Sequence, residues 1–290
     1  MGGTSIFLNI AGPDAPGGHE VRRELGDPDG ASRITILNGH ARAWRARSGG
    51  GTFSLKWAPR GRIRYRVDDG VRLVAPARMM LLNRAQPYEM DFEGAGESFC
   101  LFFSDDLVAE AGGGRGLGEF PNPVFRPGFG AEVAALRAEL GAGDAAPRDL
   151  EARLLLILAD AVEAARRHRG EAERLPAAKA STRRHLQARL EVARALIEDG
   201  EGGNLDQVAR AAGLSKFHMV RLFRAAFGTT PMKHAEGVRL DRAAAALGKG
   251  PLLIDEVAFR AGYDTASAFA RAFRRRFGTS PGAWRKAART

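Results

Sequence analysis

The stretch LSKFHMVRLFRAAFGTTP, from Leu214 to Pro231, determines the fold of the C-terminal half of this chain. Its apolar residues recur at spacings of three and four, which predicts a helix with one buried face. Ser215 is placed to cap the start of this helix. Gly228 is placed to end it, because a helix C-terminus favours glycine in left-handed geometry. The predicted buried face consists of Met219, Leu222, Phe223 and Phe227. The opposite face consists of Lys216, Phe217, Val220, Arg221 and Arg224.

Nearly the same pattern returns further along the chain, as YDTASAFARAFRRRFGTSP from Tyr263 to Pro281. Each copy follows a short helical pattern that ends in glycine, LDQVARAAG in the first and LIDEVAFRAG in the second. Asn204 and Gln207 predict a capping box at the start of the first short helix. A short helix, a tight turn and a longer helix outline a helix-turn-helix. The sequence therefore predicts one such unit over 204–228, a second over 253–278, and a connecting helix over 231–247.

The outer faces of the two longer helices favour contact with DNA. Arginines on one side of an isolated helix are more often a solvated face. Phe217, however, is a large aromatic residue beside Arg221 on the side expected to be wet, and contact with a base edge or a sugar explains it better. Arg271 occupies the place of Arg221 in the second copy. The net charge of +10 over 290 residues also favours a polyanionic partner.

The region from about Arg183 to Arg285, roughly a third of the chain, resembles the DNA-binding domain of AraC/XylS-family transcription regulators. The motifs that carry the resemblance are LSKFHMVRLFRAAFGTTP, RLDRAAAAL, IDEVAFRAGYDTASAFARAFRRRFGTSP and the closing AWR. The resemblance implies seven helices, two helix-turn-helix units and two recognition helices in successive major-groove segments of a double-stranded operator. It also implies RNA polymerase as a partner, and a transcription activator or other regulator as the function.

The resemblance assigns roles to individual residues of the two longer helices. The residues expected to contact bases are Phe217, Val220 and Arg221 in the first helix, and Ser267 and Arg271 in the second. Ala266 and Ala270 lie beside the second pair, where the family often has polar residues. The residues expected to contact phosphates are Ser215, Lys216, His218, Arg224, Thr265, Arg274 and Arg275.

The N-terminal half reads as short strands with a period near two, which describes strands with one buried face. Asp69-Gly70 predicts a hairpin turn, because both central positions of such a turn need positive φ. We expect an α+β multidomain chain whose N-terminal domain is a small antiparallel barrel or sandwich. The predicted divisions are a β-barrel sensory domain over 1–128, a helical hairpin over 129–169, a linker over 170–182 and an all-α DNA-binding domain over 183–290.

The N-terminal half also resembles, at the level of the fold, the cupin-like sensory domain of many AraC-family members, which implies a small-molecule effector. Five large residues either line a pocket for that effector or form plain core: Trp57, Tyr65, Met79, Met90 and Phe99. A metal-binding cupin needs clustered histidines, and this half holds only His19 and His40, so we expect no metal and no cofactor. Cys100 lies in an apolar run, which predicts a buried, inert thiol.

The predicted hairpin has an apolar stripe that includes Leu154, Ile157 and Leu158. This stripe either forms a homodimer contact or covers the barrel. No apolar stretch is long enough to span a membrane and no signal peptide is visible, so we expect a cytoplasmic protein. Two enzyme classes remain as alternatives: DNA alkylation repair with a borrowed AraC-type module, which needs an activated cysteine, and a cupin-type isomerase, which the few histidines oppose. We expect no catalytic activity.

Overall fold

The computed structural model describes residues 6–10, 33–42, 45–67, 70–114, 116–141, 149–200, 204–249 and 252–288. The chain divides into two units, Met1–Glu191 and Val192–Thr290. This division falls inside the helix Ala180–Asp199 and not within the predicted linker at 170–182. The segment without helix between Glu173 and Ala180 is shorter than that linker, and it contains Pro176.

The first unit is built from strands in two sheets. The strands are β1 Ile6–Ile10, β2 Ile34–Arg42, β3 Arg45–Ser48, β4 Phe53–Arg60, β5 Ile63–Val67, β6 Gly70–Val74, β7 Met79–Leu82, β8 Tyr88–Phe92, β9 Ala95–Phe103 and β10 Val124–Phe125. One sheet has the order β1-β2-β9-β4-β7-β10 and the other has the order β3-β8-β5-β6. Strands β1 and β2 are parallel, and the other recorded pairs are antiparallel.

Of the barrel or sandwich that we expected, the described strands fit the sandwich, because they form two sheets with a shared core and do not close into a barrel. Alternation could not decide between the two, since it specifies which face of a strand is buried and leaves open which strands pair. A hairpin is present between β5 and β6, but the predicted turn position is wrong by one residue: Gly70 pairs with Val67 and is the first residue of β6, so it is not a central residue of the turn. The other predicted turn residue, Asp69, lies outside the described residues.

The six-stranded sheet has core on both of its faces. Strand β7 illustrates this: Met79 and Leu81 belong to one hydrophobic cluster, whereas Met80 and Leu82 belong to a second. The first cluster includes residues of the helices, and the second includes residues of the four-stranded sheet. Successive side chains of a strand point to opposite faces, so a strand that is buried on both sides reads as a continuous apolar run.

Among the described residues, three helices lie wholly within the first unit: α1 Asp105–Ala111, α2 Gly130–Gly141 and α3 Leu150–Glu173. The apolar stripe of α3 is core, since Leu154, Ile157 and Leu158 are each at most 1% exposed within the single chain and join the first cluster. The stripe therefore packs against the sheet, which is the second of the two roles considered above, and does not form the dimer contact. Leu156, which is 68% exposed, points away from this core.

The helix α4 Ala180–Asp199 precedes the helices of the second unit. These are α5 Leu205–Ala211, α6 Lys216–Phe227, α7 Pro231–Lys249, α8 Ile254–Arg260, α9 Ala266–Phe277 and α10 Pro281–Ala287. The helices α4 to α10 are seven over the described residues from 180 onward, which is the number that the resemblance implies. None of the helices that the structure describes is both long enough and apolar enough to cross a membrane.

Local signals in the sequence determine where these helices begin and end. Asn204 and Gln207 form the predicted capping box at the start of α5. Gly228 and Gly278 end α6 and α9 with φ of 70° and 72°, a left-handed geometry that glycine adopts without steric cost. The aromatic residues of α9 and α10 then pack on one another, with the rings of Phe273 and Trp284 5.8 Å apart.

Candidate nucleic-acid interface

The outer face of α6 presents an aromatic ring between positive charges. Phe217 is 88% exposed, whereas Met219 and Phe223 on the opposite face are fully buried. Arg221 and Arg224 are exposed on the outer face. A surface hollow of about 620 Å³ is lined by Lys216, Phe217, Val220, Arg221, Arg224, Ala225 and Thr230. The residues predicted to contact bases in this helix therefore lie together on one accessible face.

The outer face of α9 repeats this arrangement with fewer large side chains. Ser267 and Arg271 are exposed and Ala270 is partly buried, while Phe269 and Phe273 on the other face are fully buried. The outer arginines Arg221 and Arg271 are exposed as predicted, whereas Val220 of the predicted outer face and Phe227 of the predicted inner face are both partly buried. The face of α9 has no counterpart of the exposed ring of Phe217, because Ser267 occupies that position.

The arginines of these faces divide into paired and unpaired groups. Within the part of the chain that the structure describes, Arg221, Arg224, Arg271 and Arg274 form no ion pair. Arg275 and Arg276 follow Arg274 directly in the sequence but turn towards α7. A guanidinium that is free of protein partners can bind phosphate or guanine without first losing an ion pair.

Two carboxylates on α7 account for the difference between the three consecutive arginines. Arg275 Nη2 lies 3.0 Å from Glu236 Oε1, which also accepts a hydrogen bond from Tyr263 Oη at 3.2 Å. Burial, followed by this carboxylate, raises the pKa of the Tyr263 hydroxyl. Arg276 makes a bidentate pair with Asp241, at 2.8 and 2.6 Å. The sequence reasoning missed Glu236 and Asp241, because residues of a second helix carry no local signal for this pairing.

Several residues predicted to contact phosphate also have structural roles. Ser215 Oγ accepts a hydrogen bond from the backbone N–H of His218, and Thr265 Oγ1 accepts one from the N–H of Ala268. These bonds cap α6 and α9, and each hydroxyl can still donate its own proton. Lys216 Nζ lies 2.9 Å from Asp206 Oδ2. Since both of these side chains are about half exposed, water screens the pair and it contributes little to stability.

The five residues considered for an effector pocket do not come together. Trp57, Met79 and Phe99 belong to the cluster shared by the sheet and the helices, whereas Tyr65 and Met90 belong to the cluster shared by the two sheets. All five are buried.

Cys100 is buried as expected, and burial raises the pKa of its thiol. A thiol in this state is a poor nucleophile at neutral pH, because the thiolate is the reactive species.

The known proteins that resemble this chain match it over the helices of the second unit. A family model described as a helix-turn-helix domain matches residues 208–287. The probable transcription factor PqrA of Proteus vulgaris is 30% identical over 90 residues, which are 31% of this chain and 74% of that protein. The chain belongs to the AraC family of transcription regulators. The AraC-type match contains both α6 and α9.

Two further relatives of this AraC-family chain match over similar lengths. The HTH-type transcriptional regulator MtrA of Neisseria gonorrhoeae is 34% identical over 83 residues, which are 29% of this chain and 28% of MtrA. A crystal structure of an AraC-type regulator from Chromobacterium violaceum is 28% identical, covers 35% of this chain and 93% of that chain, and has a TM-score of 0.34. The matches span only 24% to 31% of the length of the first three curated relatives.

Proposed function

We propose that this protein regulates transcription by reading a double-stranded operator through α6 and α9. The observation that carries the proposal is the outer face of α6, where the exposed ring of Phe217 lies beside Arg221, a guanidinium that forms no ion pair with any described residue. The same arrangement of an exposed guanidinium returns at Arg271 on α9. The fold supports the proposal as well, because helices of this kind dock in the major groove with their N-terminal residues on base edges.

In this proposal Arg221 makes the main specific contact of the first unit. A bidentate contact between arginine and guanine discriminates between bases by about 1–3 kcal/mol. Phe217 and Val220 add apolar contact with a thymine methyl group or a sugar. In the second unit Arg271 plays the corresponding part, with Ser267 as the other polar group. The second unit should therefore specify fewer base positions than the first.

Phosphate contacts in this proposal position both helices on the duplex. Arg224 and Arg274 are the leading candidates, since both are exposed and neither is in an ion pair with a described residue. The helix N-termini also favour phosphate, with Ser215 and Thr265 as hydroxyl donors. Lys216, His218 and Arg275 are the remaining candidates, and Lys216 and Arg275 would first have to leave a carboxylate.

The test of this proposal is retention of genomic DNA fragments by the full-length protein at moderate salt. We expect a small set of fragments to be enriched, and their affinity to fall steeply as salt rises, because bound counterions are released from phosphates. Arg221→Ala should reduce the enrichment of these fragments towards the level of random DNA. Equal retention of all fragments by the wild type and by Arg221→Ala would contradict a role in sequence reading.

We propose in addition that the first unit binds a small-molecule effector with an acidic group. The supporting observation is Lys56, which is 1% exposed and makes no ion pair with any residue that the structure describes. Its ammonium lies 3.7 Å from the centre of the Phe102 ring and 3.4 Å from Tyr88 Oη. A thermal-shift screen of organic acids on the wild type and on Lys56→Met tests this, since only the wild type should respond.

We further propose a homodimer and an interaction with RNA polymerase, as the family resemblance implies. The exposed Leu156 on α3 is the candidate for the dimer contact. DNA alkylation repair finds no support at Cys100, whose burial raises the thiol pKa.

A further inference from the structure

A polar cluster lies inside the first unit, where α3 and the first part of α4 come together. His168 and Glu171 lie three residues apart on α3, and Gln187 and Glu191 lie four residues apart on α4, so each pair shares a helix face. The four side chains are 1%, 6%, 0% and 7% exposed, respectively. Groups of this kind are rarely buried together unless they serve a ligand or form a fully bonded network.

The distances within this cluster are those of a compact coordination site. His168 Nδ1 lies 3.0 Å from Glu171 Oε2 and 3.3 Å from Glu191 Oε1. Gln187 Nε2 donates a hydrogen bond to the first of these oxygens at 3.2 Å and to the second at 3.0 Å. Zinc binds nitrogen and oxygen ligands at about 2.0–2.2 Å, so neighbouring ligands of a tetrahedral site lie about 3.3–3.5 Å apart. Movements of a few tenths of an ångström would therefore admit the ion.

The amide of Gln187 can supply a fourth ligand. Its Oε1 is buried and has no hydrogen-bond partner within the described part of the chain. The two ends of a glutamine amide are nearly interchangeable in shape, so the group can turn over and direct Oε1 at the two carboxylates. Oxygen facing oxygen is unfavourable unless a cation lies between them. With a cation present, the amide oxygen becomes a fourth ligand, the two hydrogen bonds from Nε2 to the carboxylates are replaced by bonds to the ion, and the NH₂ group takes the former place of Oε1.

We propose that His168 Nδ1, Glu171, Glu191 and Gln187 Oε1 bind one divalent transition-metal ion, with Zn²⁺ as the best fit. Two carboxylates balance the charge of the ion, and the neutral imidazole and amide complete four ligands. Nitrogen and oxygen donors in this number suit zinc. A closed set of four protein ligands describes a structural site, so the ion would hold the first part of α4 against α3. This site is separate from the strand-borne metal site of a cupin, which the sequence opposes.

The experiment uses the full-length protein, first treated with EDTA and then dialysed against Zn²⁺ or Co²⁺ alone. We expect one ion per chain, an absorption spectrum typical of four-coordinate Co²⁺, and a higher melting temperature with Zn²⁺. Glu171→Gln and Glu191→Gln keep the shape of the side chain and should each weaken binding by at least about tenfold. The matched control is Glu173→Gln, an exposed residue on the same helix, which should bind as the wild type does.

Two results would overturn the proposal. One is a folded wild type that binds neither ion stoichiometrically. The other is equal binding by the wild type, Glu171→Gln and Glu191→Gln, which would assign the ion to surface histidines. If the variants fail to fold, X-ray absorption on the wild type decides the question. Four nitrogen or oxygen ligands with the outer-shell scattering of a single imidazole support the site, whereas a sulfur ligand or several imidazoles exclude it.

Discussion

The three consecutive arginines of α9 give a sharp prediction, because neighbours in sequence have different partners in the structure. Arg274 is exposed and forms no ion pair with a described residue, whereas Arg276 is held by both oxygens of Asp241. Arg274→Ala should therefore weaken DNA binding and leave stability unchanged. Arg276→Ala should lower stability and leave the DNA affinity of the folded protein unchanged.

The magnitudes follow from the two environments. Loss of one phosphate contact lowers the slope of log affinity against log salt by about 0.9. A fourfold rise in salt changes log salt by about 0.6, so the affinity ratio of wild type to Arg274→Ala should fall about 3.5-fold over that range. The pair between Arg276 and Asp241 is about half exposed, and such pairs contribute about 0.2–1 kcal/mol. At the upper end of this range, Arg276→Ala would lower the melting temperature of the second unit by about 4–8 °C.

Fluorescence anisotropy with one labelled operator, at 50 to 200 mM salt, measures the first effect, and thermal denaturation measures the second. Each variant is the control for the other, since both remove one guanidinium from the same helix. The reasoning is refuted if Arg276→Ala lowers the salt slope as much as Arg274→Ala does. It is also refuted if Arg274→Ala leaves the slope at the wild-type value.

Three further predictions concern exposed and buried residues. Phe217→Ala should weaken operator binding by about 1–2 kcal/mol at unchanged melting temperature; a large loss of stability would show that the ring packs in the fold. Leu158→Glu should lower the free energy of unfolding of the first unit by more than about 3 kcal/mol, because it places a charge in the core. Leu156→Glu should change that free energy by no more than about 0.5 kcal/mol and should weaken dimerisation, as measured by sedimentation. Equal losses of stability in the two variants would contradict the difference in burial between Leu156 and Leu158. Lys56→Met should raise the free energy of unfolding in urea by about 1 kcal/mol, because burial of an ammonium group destabilises the folded state. A decrease in this free energy would contradict the prediction.

The sequence predicted the helical second unit well, because its boundaries depend on local interactions. Asn204, Ser215 and Gly228 each act within a few residues of their own position, so a motif is enough to recognise them. The inner and outer faces of α6 and α9 followed from helical periodicity for the same reason. The residues that read DNA in our proposal were therefore all visible in the sequence, and their roles rest on the family resemblance.

Interactions between distant residues were beyond the reach of these patterns. Alternation in the strands predicted buried faces but gave no strand order, so it could not decide between a barrel and the two sheets that the structure has. Periodicity identified Leu154 and Leu158 as a stripe without identifying what covers it. The cluster of His168 and Glu191 joins residues of two helices with no recognisable spacing motif. In each case the missing information is which surfaces meet, and tertiary packing determines that.

The central claim is that two helices of one chain read two segments of the same operator. Selection of the full-length protein on a randomised duplex, compared with Arg221→Ala and Arg271→Ala, tests this claim most directly. The wild type should select two motifs about 10–10.5 base pairs apart, since the two helices would enter successive turns of the major groove on one face. Arg221→Ala should relax only one motif, and Arg271→Ala only the other, over fewer positions. A single short motif for the wild type, or an unchanged preference for Arg221→Ala, would contradict the account.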